Sequence, residues 1–208
     1  MIYELRSYDL KVGTAATYMK RFGDGLPTRE KYSKLAGFWS TDVGPLNQVL
    51  HLWAYEDMKH RDEVRDASAK DTSGQWPPKG DDCIVHMESE IILPAPFMRP
   101  LDGTPQELGG IYELRYYDYQ VGSTGKVYKT WEPMIAAREK LSPLVLCGFT
   151  ELGGLNKFFH LWPYKDMNDR LRIRREAVVQ GIWPPPTSEW VVRQQNKLLF
   201  PAPFSPLH

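Results

Sequence analysis

Ile2-Tyr3-Glu4-Leu5-Arg6 returns 109 residues later as Ile111-Tyr112-Glu113-Leu114-Arg115, and this repetition decides the fold. In both copies a Tyr-Asp pair follows (Tyr8-Asp9, Tyr117-Asp118), then Val-Gly (Val12-Gly13, Val121-Gly122). His51-Leu52-Trp53 recurs at the same spacing as His160-Leu161-Trp162, with Tyr55 and Asp57-Met58 matched by Tyr164 and Asp166-Met167. Pro94-Ala95-Pro96-Phe97 closes the first copy and Pro201-Ala202-Pro203-Phe204 the second, 107 residues on. A period this long is a duplicated domain, since solenoid repeats run about 20–50 residues. Residues 1–97 and 111–208 therefore read as two copies. The linker over 98–110 is marked by Pro100, Asp102-Gly103, Pro105 and Gly109-Gly110. Two like halves are expected to pack about a pseudo-twofold axis, as the subunits of a symmetric dimer do.

Within each copy the pattern alternates between strand and helix. Ile2 to Asp9 is rich in β-formers and reads as a strand. Tyr18, Met19, Phe22 and Leu26 then share one helical face, matched by Val127, Tyr128, Trp131 and Ile135. Gly23-Asp24-Gly25-Leu26-Pro27 is expected to kink or break the first helix and Pro133 to disturb the second. Gly37–Thr41 and Val49–Tyr55 form a hairpin through Gly44-Pro45-Leu46-Asn47, and the second copy repeats it through Gly153-Gly154-Leu155-Asn156. Charged helices over 56–71 and 165–179 end at Trp76-Pro77-Pro78 and Trp183-Pro184-Pro185, and last strands run over 83–93 and 190–200. Each half is thus β-α-β-β-α-β, the ferredoxin-like unit. The chain is an α+β protein of tandem ferredoxin-like repeats.

That unit covers one face of its sheet with helices. Leu50, Leu52 and Ala54, with Tyr3 and Leu5, are expected to meet the helices. Their alternates His51, Trp53, Tyr55, Glu4, Arg6 and Tyr8 should then point to the bare face. On the last strand Val85, Met87 and Ile91 are likewise assigned inward, and His86, Glu88 and Glu90 opposite. Two such mixed polar-aromatic faces turned together would enclose a partly polar cavity inside an internal, pseudo-dimeric barrel of antiparallel sheets.

Tyr-Glu-Leu-Arg on the first strand, Gly-Phe opening the hairpin, Leu-Asn in its turn, His-Leu-Trp-x-Tyr on the third strand and a downstream Arg (Arg61, Arg170) resemble the NIPSNAP family. The resemblance spans both halves outside the linker. It implies the dimeric α+β barrel superfamily and a family without an agreed catalytic activity, whose animal members are associated with mitochondria and with protein–protein roles. Strand pattern begins at Ile2, which leaves no room for a targeting peptide, so a cytoplasmic location is expected instead.

His51 and His160 are the acid–base candidates, because imidazole titrates near neutral pH. Glu4 and Arg6, or Glu113 and Arg115, are their expected partners on the neighbouring strand. The same residues serve equally as a satisfied polar network closing the interface between halves. Tyr8, Trp53 and Tyr55, with Tyr117, Trp162 and Tyr164, line either an aromatic ligand pocket or a packed core. A metal could be held only by the first half, through His51, His86, Glu4 and Glu88, since Arg193 and Gln195 replace His86 and Glu88 in the second. Spacings such as HExxH or CxxC are absent, and no metal, haem or other cofactor is expected. The Arg170, Arg172, Arg174, Arg175 run reads as a solvated helix face, because Asp166, Asp169 and Glu176 lie among them. Pro-Ala-Pro-Phe after each last strand reads as an arm anchored on the other half.

Composition bounds the partners. Lys plus Arg and Asp plus Glu are 26 each, so no long-range field favours nucleic acid or an anionic membrane. No run is long and apolar enough for a membrane span. Cys83 and Cys147 stand at unmatched positions and read as free thiols, with a bridge between them as the alternative. Two functions follow: a NIPSNAP-like protein binding a small molecule or protein partner through the barrel, and a cofactor-independent monooxygenase or isomerase acting on an aromatic or polyketide-like substrate. Homo-oligomers beyond the internal pair are compatible with either.

Overall fold

The computed structural model describes residues Met1–His208. The first half runs β1 (Ile2–Leu10), α1 (Ala15–Arg29), β2 (Leu35–Val43), β3 (Gln48–Tyr55), α2 (Met58–Lys70), β4 (Ile84–Pro94). The second runs β5 (Ile111–Tyr119), α3 (Thr124–Glu139), β6 (Leu146–Leu152), β7 (Lys157–Tyr164), α4 (Met167–Val179), β8 (Val191–Pro201). All eight strands join one closed barrel in the order β1-β3-β2-β8-β5-β7-β6-β4, every pairing antiparallel. Each half keeps the ferredoxin-like order, and the seams are β2 with β8 and β4 with β6.

The seams are short. Trp39 pairs with Pro201 and Val43 with Leu198 at one, Ile91 with Leu152 and Pro94 with Gly148 at the other. The arms extend them. Ala202 donates its N–H to Phe38 O at 3.0 Å, and Phe204 packs on Phe22 and Phe38 across the seam. A Cβ on Gly23 would meet the Phe204 ring at 2.8 Å, so only glycine lets the arm lie so close to α1. Phe97 of the first arm packs on Tyr128 in the same way.

Neither proline interrupts its helix. α1 runs unbroken through Gly23, Gly25 and Pro27, and α3 through Pro133. The expected break is corrected by packing: Tyr18 and Phe22 before it, Leu26 within it and Thr28 and Arg29 after it are buried in α1, and Val127, Trp131 and Ile135 are buried on both sides of Pro133 in α3. That burial outweighs local propensity, which tertiary context routinely overrides. The polar helices α2 and α4 start on side-chain caps, Asp57 accepting from His60 N and Asp166 from Asp169 N at 2.8 Å each.

Three cores result, and on β1 and β3 they reverse the sheet faces expected above, whereas on β4 Met87 and Ile91 face the helices and Glu88 and Glu90 the lumen, as expected. Tyr3, Leu5, Leu50 and Leu52 of the first half meet Tyr112, Leu114, Phe159 and Leu161 of the second in a shared cluster. These residues fill the barrel lumen except at the end bounded by Glu88, Glu90, Lys157 and Lys197. Trp53, Tyr55 and Tyr8 instead pack on Tyr18, Phe22 and Leu26 of α1, and Tyr117, Trp162 and Tyr164 on Val127, Trp131 and Ile135 of α3. Both sheet faces are buried, so alternation separates the two residue sets without telling which one meets helices. The narrow interior of an eight-stranded barrel is filled by side chains, and here the set with Tyr3, Leu5, Leu50 and Leu52 takes it. Linker residue Leu101 and C-terminal Leu207 belong to the lumen cluster, and Leu101 N donates to Tyr3 Oη at 2.8 Å.

Candidate functional site

Because the faces are reversed, the candidate residues do not meet across the halves. Each set lies between its own sheet and its own helices, and the structure holds two equivalent sites. In the first, His51, Trp53 and Tyr55 project from β3 and Arg6 and Tyr8 from β1. They line a cavity of about 270 Å³ with Phe22 and Arg29 of α1, Arg65 of α2, and Trp76. In the second, Arg115, Tyr117, His160, Trp162 and Tyr164 line a cavity of about 260 Å³ with Arg138, Arg174 and Trp183.

Glu4 lies beneath the first cavity, fully buried. Its Oε1 accepts from Arg6 Nη1 at 2.9 Å, Arg61 Nη2 at 2.7 Å and Ser89 Oγ at 2.7 Å, while Arg65 Nη1 stands 3.7 Å from Oε2. Arg61 and Arg65 are one turn apart on α2, so both reach the same carboxylate. Burial alone would raise the Glu4 carboxyl. The bonds from Arg61 and Ser89 and the charges of Arg6 and Arg65 outweigh it and lower the pKa to about 2. Glu113 repeats this with Arg115, Arg170 and Arg174 at 3.1, 2.7 and 3.5 Å, Asn196 taking the place of Ser89. The run expected to be a solvated face is thus divided. Arg170 and Arg174 turn inward to Glu113, while Arg172 stays outside with Asp169 and Glu176.

Arg29 is not among the residues that the sequence singles out. It is 2 % exposed, yet no carboxylate lies within ion-pair distance. Its guanidinium stacks on Trp53 at 4.4 Å and Trp76 at 5.9 Å and donates to Tyr55 Oη at 3.0 Å. Arg138 repeats this on Trp162 and Trp183 at 4.3 and 5.9 Å, with Tyr164 Oη at 3.2 Å. Burial pushes both guanidinium groups down from their ordinary value, although arginine keeps its charge in proteins. The signal that could have found them is the 109-residue offset, which matches Arg29 with Arg138 and Arg65 with Arg174 as it matches the histidines.

The histidines are buried and neutral. Indole N–H is a donor only, and Trp53 Nε1 lies 2.6 Å from His51 Nδ1, so the ring proton sits on Nε2. Trp162 fixes His160 the same way at 2.8 Å. Burial first, then the nearby arginines, hold both imidazoles well below their usual pKa. Neither Nε2 has a hydrogen-bond partner. Each cavity therefore offers an imidazole donor without an acceptor beside a guanidinium without a counterion.

The residues weighed as a metal set do not converge. Glu4 faces α2 while Glu88 lines the far side of the sheet, where His86 Nε2 stands 3.5 Å from it. Cys83 and Cys147 are buried and free. No helix is long and apolar enough to cross a membrane.

A family model described as NIPSNAP matches residues 3–99 and 112–206. Human Protein NipSnap homolog 3A is 32% identical over 219 residues, covering 100% of this chain and 86% of the relative. Protein NipSnap homolog of Dictyostelium discoideum is 30% identical, covering 88% and 78%. Among solved structures, a putative monooxygenase from Fusobacterium nucleatum is similar with a TM-score of 0.62 over 96% of this chain and 91% of its own, at 14% identity. At that identity the likeness is one of fold.

Proposed function

The chain belongs to the NIPSNAP family, and from that premise we propose that it binds a small organic anion in each half: a carboxylate or enolate carried on a flat apolar body. One observation carries the reading. Arg29 and Arg138 are buried cations with no carboxylate partner, each lining a cavity that also holds an unpartnered histidine Nε2–H. A buried charge left unpaired is costly, and an anionic ligand would supply the missing partner. Around Glu4 and the first cavity stand Arg6, Arg29, Arg61 and Arg65, four cations to two carboxylates (Glu4, and Asp62 on Arg61), so the local balance favours an anion. Trp53, Trp76, Phe22 and Tyr55 supply flat walls for its apolar part.

Binding through the barrel gives way in this proposal to binding outside it, because the lumen beneath these residues is filled. A monooxygenase or isomerase would need a base, and the one free lone pair of each imidazole is spent on a tryptophan N–H. The histidine is therefore assigned as donor to the ligand's oxygen.

Tryptophan fluorescence titrated with benzoate or 1-naphthoate tests the proposal. Two binding events per chain are expected. Arg29→Met should weaken one and Arg138→Met the other by about 10- to 150-fold, the value of a charged hydrogen bond of about 1.5–3 kcal/mol. Affinity unchanged in both variants, or no response to either acid, would refute the proposal.

A further inference from the structure

The halves are alike where each faces its helices and unlike where they face each other. One end of the lumen opens as a cavity of about 330 Å³. The first half gives it Asp9, Gln48, Glu88 and Glu90, and the second gives Tyr116, Lys157, Arg193 and Lys197. By the repeat, Gln48 corresponds to Lys157 and Glu90 to Lys197. Duplication alone would not have placed two amines on one side of this opening.

The two lysines are held differently. Lys157 makes an ion pair with Glu90. Lys197, 8 % exposed, has no carboxylate within ion-pair distance and donates to the neutral Gln48 Oε1 at 2.6 Å. Both Nζ atoms lie over the same Tyr116 ring, at 5.7 Å for Lys157 and 5.6 Å for Lys197. Desolvation and a neighbouring cation are the two means by which a lysine amine is made nucleophilic. Burial is the larger influence here and lowers the Lys197 ammonium; Lys157 acts in the same direction, and Glu88, Glu90 and Asp9 oppose without reversing it.

We propose that Lys197 is a nucleophilic amine that forms imines with small aldehydes or ketones entering this end of the barrel. The amine lone pair bonds to the carbonyl carbon while the carbonyl π pair moves to oxygen, and a proton passes from nitrogen to oxygen. The resulting hydroxyl leaves as water when the C=N bond forms, the nitrogen losing its remaining proton to that departure. Nothing is oxidised or reduced. Tyr116, Phe159, Leu5 and Leu114 offer an apolar wall to the rest of the carbonyl compound. The sheet separates this site from the two outer cavities, so the proposal stands apart from anion binding.

The test is competitive labelling of the full chain. Acetaldehyde at substoichiometric amount, at neutral pH, followed by cyanoborohydride, converts any imine into a stable ethyl-lysine that peptide mass mapping locates. Lys197 is expected to carry the adduct before the exposed Lys11 and Lys59. Lys157→Met should slow the labelling of Lys197, since it removes the neighbouring cation and frees Glu90 to act on the amine. Lys197→Arg should lose the early adduct and keep the response to aromatic acids in the outer cavities. Labelling of Lys11 or Lys59 before or alongside Lys197, or labelling of Lys197 only in urea, would overturn the proposal. The wild-type map decides this even if Lys197→Arg does not fold.

Discussion

Glu4→Gln removes one negative charge from beneath the first cavity and leaves three arginines facing one another. A carboxyl held at about 2 in the fold, against an ordinary 4.5, contributes about 3 kcal/mol of stability at neutral pH. Breaking a buried pair by deleting one partner typically costs about 3–5 kcal/mol, the same size by a separate route. The sign follows from the lowered pKa. Below 4.5 the unfolded chain takes up a proton that the folded Glu4 refuses, so this stability is present above 4.5 and lost as pH falls toward 2. At pH 3 the wild-type advantage should have shrunk to about 1.5 kcal/mol. Urea denaturation of wild type and Glu4→Gln at pH 7 and pH 3 reads both numbers. Arg6→Met is the control: Glu4 keeps Arg61 at 2.7 Å and Ser89 at 2.7 Å, so the loss should stay well below that of Glu4→Gln. A Glu4→Gln cost under about 1 kcal/mol at pH 7, the size of an exposed pair, or an equal cost at both pH values, would refute the account of this network.

His51→Phe should lower stability at pH 8 by about 1–3 kcal/mol, because Trp53 Nε1 loses its only acceptor inside the fold. It should also flatten the decline of wild-type melting temperature below pH 6.5, where the unfolded chain protonates a histidine that burial keeps neutral when folded; parallel melting curves for the two proteins would count against it. Truncation before Pro201 removes Leu207 from the lumen and Phe204 from Phe22 and Phe38, and should lower the melting temperature by about 10 °C or more by calorimetry. An unchanged melting temperature would show that the arm closes nothing.

The candidate site was legible in part. His51, Trp53, Tyr55, Arg6 and Tyr8 do share a cavity, as do their copies, because period-2 alternation puts them on one face and antiparallel register sets Arg6 opposite His51 and Arg115 opposite His160. Arg29 and Arg65 were missed as site residues. They arrive from helices, and nothing in a helix pattern says which of several arginines will be buried over a particular strand.

By itself the sequence determined the duplication, the order of elements and the two residue sets on each strand, since these depend on local spacing and on turn residues. Tertiary structure decided which set faces which way. Leu50 and Leu52 on one side and Trp53 and Tyr55 on the other are both apolar enough for burial, and a closed barrel wrapped by helices buries both faces. No contrast between wet and dry was left in the alternation to orient it. What fixed the choice is three-dimensional: a lumen that aliphatic and aromatic side chains from both halves pack, and arginines on α2 and α4 that bring the counterions of Glu4 and Glu113 to the outer face.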